Sequence, residues 1–163
     1  MDTTPGSAPA PPTDVADLGL AHLYAAQRTA MVRLARLLTG SSAVSEDVVH
    51  EAFARILRRG VTVDHPEAYL RATVVNLSRD QVRRRHLERR SAPRDPLVAV
   101  PPEIDEMWAA VCRLPYGQRA VLVLRYYADL SEADIADALG CRVGTVKSRL
   151  HRGLARLRKE LPS

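Results

Sequence analysis

Aromatic side chains are scarce, at 4% of the 163 residues, so a core in this chain has to rest on Leu, Val, Ala and Ile. Cysteine is nearly absent. Cys112 and Cys141 have no metal-ligand spacing and are too few for a disulfide framework, so both read as small buried residues in a reducing compartment. No stretch approaches the roughly 18 uninterrupted apolar residues of a membrane span. The first residues lack the basic and apolar segments of a secretory signal. These absences predict a cytoplasmic chain with no membrane insertion. Strand-like alternation is missing too, and the five His are scattered. With no carboxylate cluster and no base–nucleophile pair, there is nothing to suggest a metal, a cofactor or a catalytic site, and the expectation is that the chain is not an enzyme.

One further absence is local. From Arg142 to Lys159 there are seven Lys or Arg and no acid, in a chain whose overall net charge is only +5. The segment lies within LSEADIADALGCRVGTVKSRLHRGLARLRKEL, which parses as two helices around a tight turn. Ser131 reads as an N-cap with Glu132 and Asp134 in the first turn, and Gly140 as the glycine that ends the helix. Val143, Val146, Leu150, Leu154 and Leu157 form one narrow apolar stripe at helical spacing. Ser148, Arg152 and Lys159 fall on the opposite face, flanked by Thr145 and His151. An acidic bracing helix followed by a cationic one is what a helix-turn-helix needs to lay donors in the major groove of DNA.

The rest of the chain reads as helices with interruptions. Residues 1–14 are proline-rich and predicted to be a disordered tail. Helical spacing then runs from about Val15 to Leu38. A break at 39–42 follows, and Ser45 is expected to cap a helix ending near Gly60. A third helix spans about Pro66 to Arg90, and its back half, RDQVRRRHLERR, carries six Arg against two acids. SAPRDPLVAVPP holds four prolines and reads as a flexible tether. The second unit begins near Glu103, with a helix from Gln118 to Tyr127. The expected fold class is therefore all-α: two small helical domains, 15–90 and 104–161, joined by a flexible Pro-rich linker at 91–103.

Three segments in this order resemble the extracytoplasmic-function (group IV) sigma factors of the sigma-70 family. SEDVVHEAFARILRR is similar to region 2.2, and HPEAYLRATVVNLSRDQVRRRHLERR to regions 2.3 and 2.4. LPYGQRAVLVLRYYADLSEADIADALGCRVGTVKSRLHRGLARLRKEL is similar to region 4. PEAYLRATVVNL also resembles the actinobacterial SigE-like subgroup. The resemblance implies a protein that binds core RNA polymerase, through the β′ clamp helices and the β flap, and directs it to promoter DNA with −35 and −10 elements. An anti-sigma factor is a usual partner in the family. Asp47, His50 and Glu51 match the clamp-docking face, with His50 where glutamine is usual. Phe53 keeps the motif's aromatic, and Leu57 replaces its tryptophan. Asn76 matches the asparagine near the loop that captures a flipped −10 base, and Arg79, Arg83, Arg84 and Arg85 match the helix beside it. Arg142, Val143, Gly144 and Thr145 match the phosphate-gripping turn of region 4. Lys147, Ser148, His151 and Arg152 match the positions facing −35 bases and nearby phosphates. The alternative is a stand-alone helix-turn-helix regulator, which would leave the first arginine-rich helix and the acidic 2.2-like face unexplained and would not co-purify with core polymerase.

Overall fold

The structure, a computed structural model, describes residues 15–59, 64–91 and 106–161, and all the regular elements among them are helices. The tail, Gly60 and the proline-rich tether lie outside the described residues. The first unit holds α1 (Val15–Thr39), α2 (Ser42–Arg59) and α3 (Pro66–Ser91). Helix α1 packs on both others, and α2 packs on α3. Leu34, Leu38, Val48, Val49, Leu70 and Val74 fill the space between them, each at 2% exposure or less. Burying each such side chain stabilises the unit by about 1.5–3 kcal/mol before chain entropy is counted. The few aromatics are placed where they count: Tyr24 meets Phe53 edge-on, with ring centroids 4.8 Å apart.

The break between α1 and α2 needs a left-handed residue, and Gly40 supplies it at φ 70°. Helix α2 starts four residues earlier than a cap at Ser45 would place it. Ser45 is not its cap: it is buried inside the first turns, and its hydroxyl donates to the Ser41 carbonyl at 2.5 Å. A serine can satisfy itself in this way within a helix, so cap chemistry alone did not locate the start.

The second unit holds α4 (Glu106–Arg113), α5 (Tyr116–Tyr126), α6 (Glu132–Leu139) and α7 (Val143–Glu160). Helix α5 is its centre, with every residue from Arg119 to Leu124 buried. It begins two residues before Gln118, directly after Pro115, whose ring suits a helix start. Ser131 caps α6 as expected: its hydroxyl accepts from Asp134 N and donates to the Asp134 carboxylate at 2.6 Å. Gly140, at φ 60°, ends α6 as expected. The paired bonds Cys141 N to Ala136 O and Gly140 N to Asp137 O close a Schellman turn.

The two units are docked. Helix α3 packs on α6 and α5, and α1 packs on α5 and α4. One continuous buried cluster runs from Leu23 to Val146 through both.

Candidate nucleic-acid interface

Helix α7 is held by its inner face. Val146 and Gly153 are buried, and Leu150, Leu154 and Leu157 are half-buried. Gly153 is there because α5 comes close: a Cβ on it would stand 2.9 Å from Leu122 Cδ1. Val143, counted in the apolar stripe from its spacing, is instead 39% exposed at the helix start.

The outer face carries the residues that the sequence singled out. Arg142, Val143, Gly144, Lys147, His151 and Arg152 are all exposed. Thr145 and Ser148 are half-buried, and the Ser148 hydroxyl donates to the Thr145 carbonyl at 3.0 Å. Arg142 occupies the cap position with extended backbone and no side-chain cap bond, so the first N–H groups of α7 are open to an anion. Glu132, in the bracing helix, lies 3.7 Å from Lys147 Nζ. At the far end Arg113 holds Glu160 at 2.8 Å. Between those two points this face meets no carboxylate among the described residues. Arg149 turns inward and lies over Gly117, where a Cβ would meet its guanidinium carbon at 3.2 Å.

The arginine-rich end of α3 is different. Arg79, Arg83 and Arg84 are exposed, but Arg79 has Asp80 at 3.8 Å. Arg84 bonds Gln81 at 2.7 Å and stands 3.9 Å from Glu88. Arg85 reaches back to Ser41 Oγ at 3.0 Å and ties α3 to the start of α2. Asn76, one turn before the cluster, is half-buried between the buried Val75 and Leu77, and its amide bonds no other described side chain.

On α2, Asp47 and His50 are exposed, and Asp47 forms no ion pair among the described residues. Glu51 accepts from Arg55 and Arg58, both at 2.9 Å. Those bonds, that from Arg55 first, hold its carboxyl below the usual range. None of these three groups pairs with the Arg side chains of α3 or with α7 among the described residues.

Two helices at helix-turn-helix geometry, docked on a three-helix unit with a second basic helix, match known proteins along both units. The family descriptions "Sigma-70 region 2" and "Sigma-70, region 4" fit residues 23–88 and 104–157. The RNA polymerase sigma-E factor of Streptomyces coelicolor is 35% identical over 144 residues, covering 83% of this chain and 81% of that one. The chain belongs to the sigma-70 family. It is an extracytoplasmic-function sigma factor of SigE-like type, which binds core RNA polymerase and directs promoter recognition, DNA melting and initiation. SigL of Mycobacterium tuberculosis, named as an ECF sigma factor, is 32% identical over 85% of this chain and 86% of its own. Among solved structures, RpoE of Bartonella quintana, in complex with the anti-sigma factor NepR, shares the fold at a TM-score of 0.70 and 21% identity, covering 87% of this chain and 96% of that one.

Two residues that hold this sigma factor together were missed by sequence reasoning. Arg119 and Tyr116 sit in the segment YGQRAVLVLRYY, whose spacing reads as a helix without marking either of them. The available signal was the position of Arg119 directly before the buried run 120–124, whereas Arg125, just after that run, is exposed. No helix of the described residues is long and apolar enough to cross a membrane. No group of three or more metal-ligating side chains gathers among them.

Proposed function

We propose that the two units of this sigma factor divide the promoter between them, with 15–90 handling the −10 element and 104–161 the −35 element. Helix α7 reads duplex −35 DNA. The first N–H groups of α7, from Val143 and Gly144, and the Arg142 side chain take phosphate, while Lys147, His151 and Arg152 face base edges and neighbouring phosphates. Thr145 and Ser148 close that face from its half-buried edge. Asn76 presents its unengaged amide to an extruded −10 base, where scarce aromatics leave polar readout to do the selecting. Arg79, Arg83 and Arg84 hold the strand backbone there, and Arg85 fixes the helix that carries them. Asp47, His50 and Glu51 meet the β′ clamp helices, and the second unit meets the β flap. The protein works in the cytoplasm and supplies no catalytic step of its own. An anti-sigma factor is its regulatory partner, as NepR is for the Bartonella RpoE.

The observation that carries this reading is the exposed outer face of α7, cationic and nearly free of acids beside its bracing helix. Core polymerase reconstituted with the full chain tests it on a random promoter library. The selected promoters should hold two boxes. Arg152→Ala should relax selection at the upstream box. Asn76→Ala should leave upstream selection intact and reduce permanganate reactivity at the downstream box. Both variants disturbing the same box would overturn the division.

A further inference from the structure

The chain takes its positive charge almost wholly from arginine. Of its 24 Lys and Arg, only Lys147 and Lys159 are lysines, and both lie on α7. The distinction is chemical. A guanidinium stays protonated in proteins, whereas a lysine amine can give up its proton and accept an acyl group. Side-chain amines are therefore offered by one helix alone, the helix assigned to −35 DNA.

The two lysines are not equivalent. Lys159 stands in the last turn of α7, and its neighbour Glu160 is taken by Arg113. Lys147 stands in the middle of the reading face, between Gly144 and His151. Its side chain is 65% exposed, and Glu132 of α6 is the one carboxylate paired with it among the described residues. The distance of 3.7 Å from Nζ exceeds hydrogen-bond reach, so the amine is kept near a charge without being tied to it. The approach is open too. Gly144 lies three residues before Lys147 and so on the same face, and a Cβ there would meet nothing within 4 Å outside its own stretch of helix.

The charge at stake exceeds one cation. While Lys147 is charged, it and Glu132 offset each other, and the pair adds no net charge to the face. Acylation removes the cation and the partner of Glu132 together, so the same spot then presents a carboxylate to the phosphates.

We propose that Lys147 is an acetylation site, and that an acetyl group there switches off the reading of −35 DNA. The donor is an activated acetyl group, either an acyl phosphate or an acyl thioester. The Lys147 ammonium first gives one proton to water, with the Glu132 carboxylate and the His151 imidazole, one turn further along the same face, as acceptors on the way. Nζ then attacks the acetyl carbonyl carbon. The N–C bond forms, the C–O bond to phosphate or the C–S bond to the thiol breaks, and the second proton leaves with that group. The effect on transcription rests on the reading of α7 as the −35 helix; the chemistry at Lys147 does not.

The full chain tests both parts. It is incubated in one arm with acetyl phosphate and in the other with acetyl-coenzyme A, and the acetyl groups are located by mass spectrometry of its peptides. Lys147 should be labelled ahead of Lys159 in at least one arm, and the faster arm names the donor class. No label on Lys147 in either arm, or Lys159 labelled first in both, would overturn the site. For the effect, a Lys159→Arg chain is acetylated to full occupancy and reconstituted with core polymerase. It should bind promoter duplex about tenfold more weakly than the same chain untreated, and its slope of log affinity against log salt should fall by about one. The Lys147→Arg chain, treated alike, should bind as its own untreated form does. Equal binding by the acetylated and untreated Lys159→Arg chains would overturn the switch. Arg152→Ala then says whether the reading of α7 falls with it: that reading survives where Arg152→Ala weakens binding and fails where it does not.

Discussion

Helices α3 and α7 are both long and both basic, and both are proposed to meet promoter DNA, yet they manage their charge in different ways. Three of the Arg side chains of α3, Arg79, Arg84 and Arg85, are answered locally by Asp80, Gln81, Glu88 and Ser41. Among the described residues, the cations of the outer face of α7 are answered only by Glu132 near its start, while Glu160 at its end is taken by Arg113. A field that projects into solvent suits rigid duplex, which is met from a distance through its phosphates. A helix whose charge is partly answered along its own length, with one unengaged amide, suits a strand already opened, where fit matters more than attraction. The difference lies in the sequence: acids are interleaved in RDQVRRRHLERR and absent from 142–159.

The anchoring differs as well, and the strongest way to break the comparison is through the core. Leu38→Ala removes a side chain at 0% exposure from beneath α3 and should destabilise the protein by about 2–5 kcal/mol in urea unfolding. In holoenzyme kept folded at low temperature it should slow melting at the −10 element more than it weakens upstream contact. Equal loss at both would mean that the two units do not act separately. Gly153→Val drives a branched side chain at Leu122, only 2.9 Å from the first added atom, and should cost about 1–3 kcal/mol. Its effect should fall on the −35 element, because it pushes α7 off α5. Footprints that lose the −10 contacts first would contradict this.

A smaller effect separates charge from fit. Arg152→Ala should weaken holoenzyme binding to promoter duplex about tenfold and lower the slope of log affinity against log salt by about one. Arg84→Ala, whose cation is already paired within α3, should change that slope less. Equal slopes for the two variants would remove the distinction between a projected field and a partly answered one.

Much of this was legible in the sequence because helical spacing and cap chemistry are local. Ser131, Gly140 and the basic outer face of α7 stand where spacing placed them. What spacing misses is approach distance. Gly153 reads as a helix-weakening residue until α5 is seen against it, and Arg149 reads as a surface cation until Gly117 is seen beneath it. Ser45 looks like a cap because the hydroxyl that would cap a helix can equally bond backward within one. The docking of the units was illegible for a further reason. Arg119 and Tyr116 bond to backbone carbonyls, which every residue possesses, so no side-chain pattern marks their partners.

The smallest expected effect concerns the acidic face of α2. Glu51 is bonded by Arg55 and Arg58, and its carboxyl is held below its ordinary value of 4.5. A carboxyl depressed in the folded state adds stability that is present above its unfolded value and is lost as pH falls through the folded one. That contribution therefore holds at neutral pH and fades only in acid below about 4.5. The bonds are at the surface, so Glu51→Gln should lower the neutral-pH melting temperature only slightly, the worth of an exposed ion pair. It should also flatten the acid limb of the melting curve relative to the parent. Binding to core polymerase sharpens the point. If the clamp helices meet this face, they meet a carboxylate already engaged by two arginines, and Asp47, which pairs with no described residue, should carry more of the contact. Asp47→Asn should then weaken core binding more than Glu51→Gln in a direct affinity measurement. The reverse order would mean that Arg55 and Arg58 release Glu51 on docking.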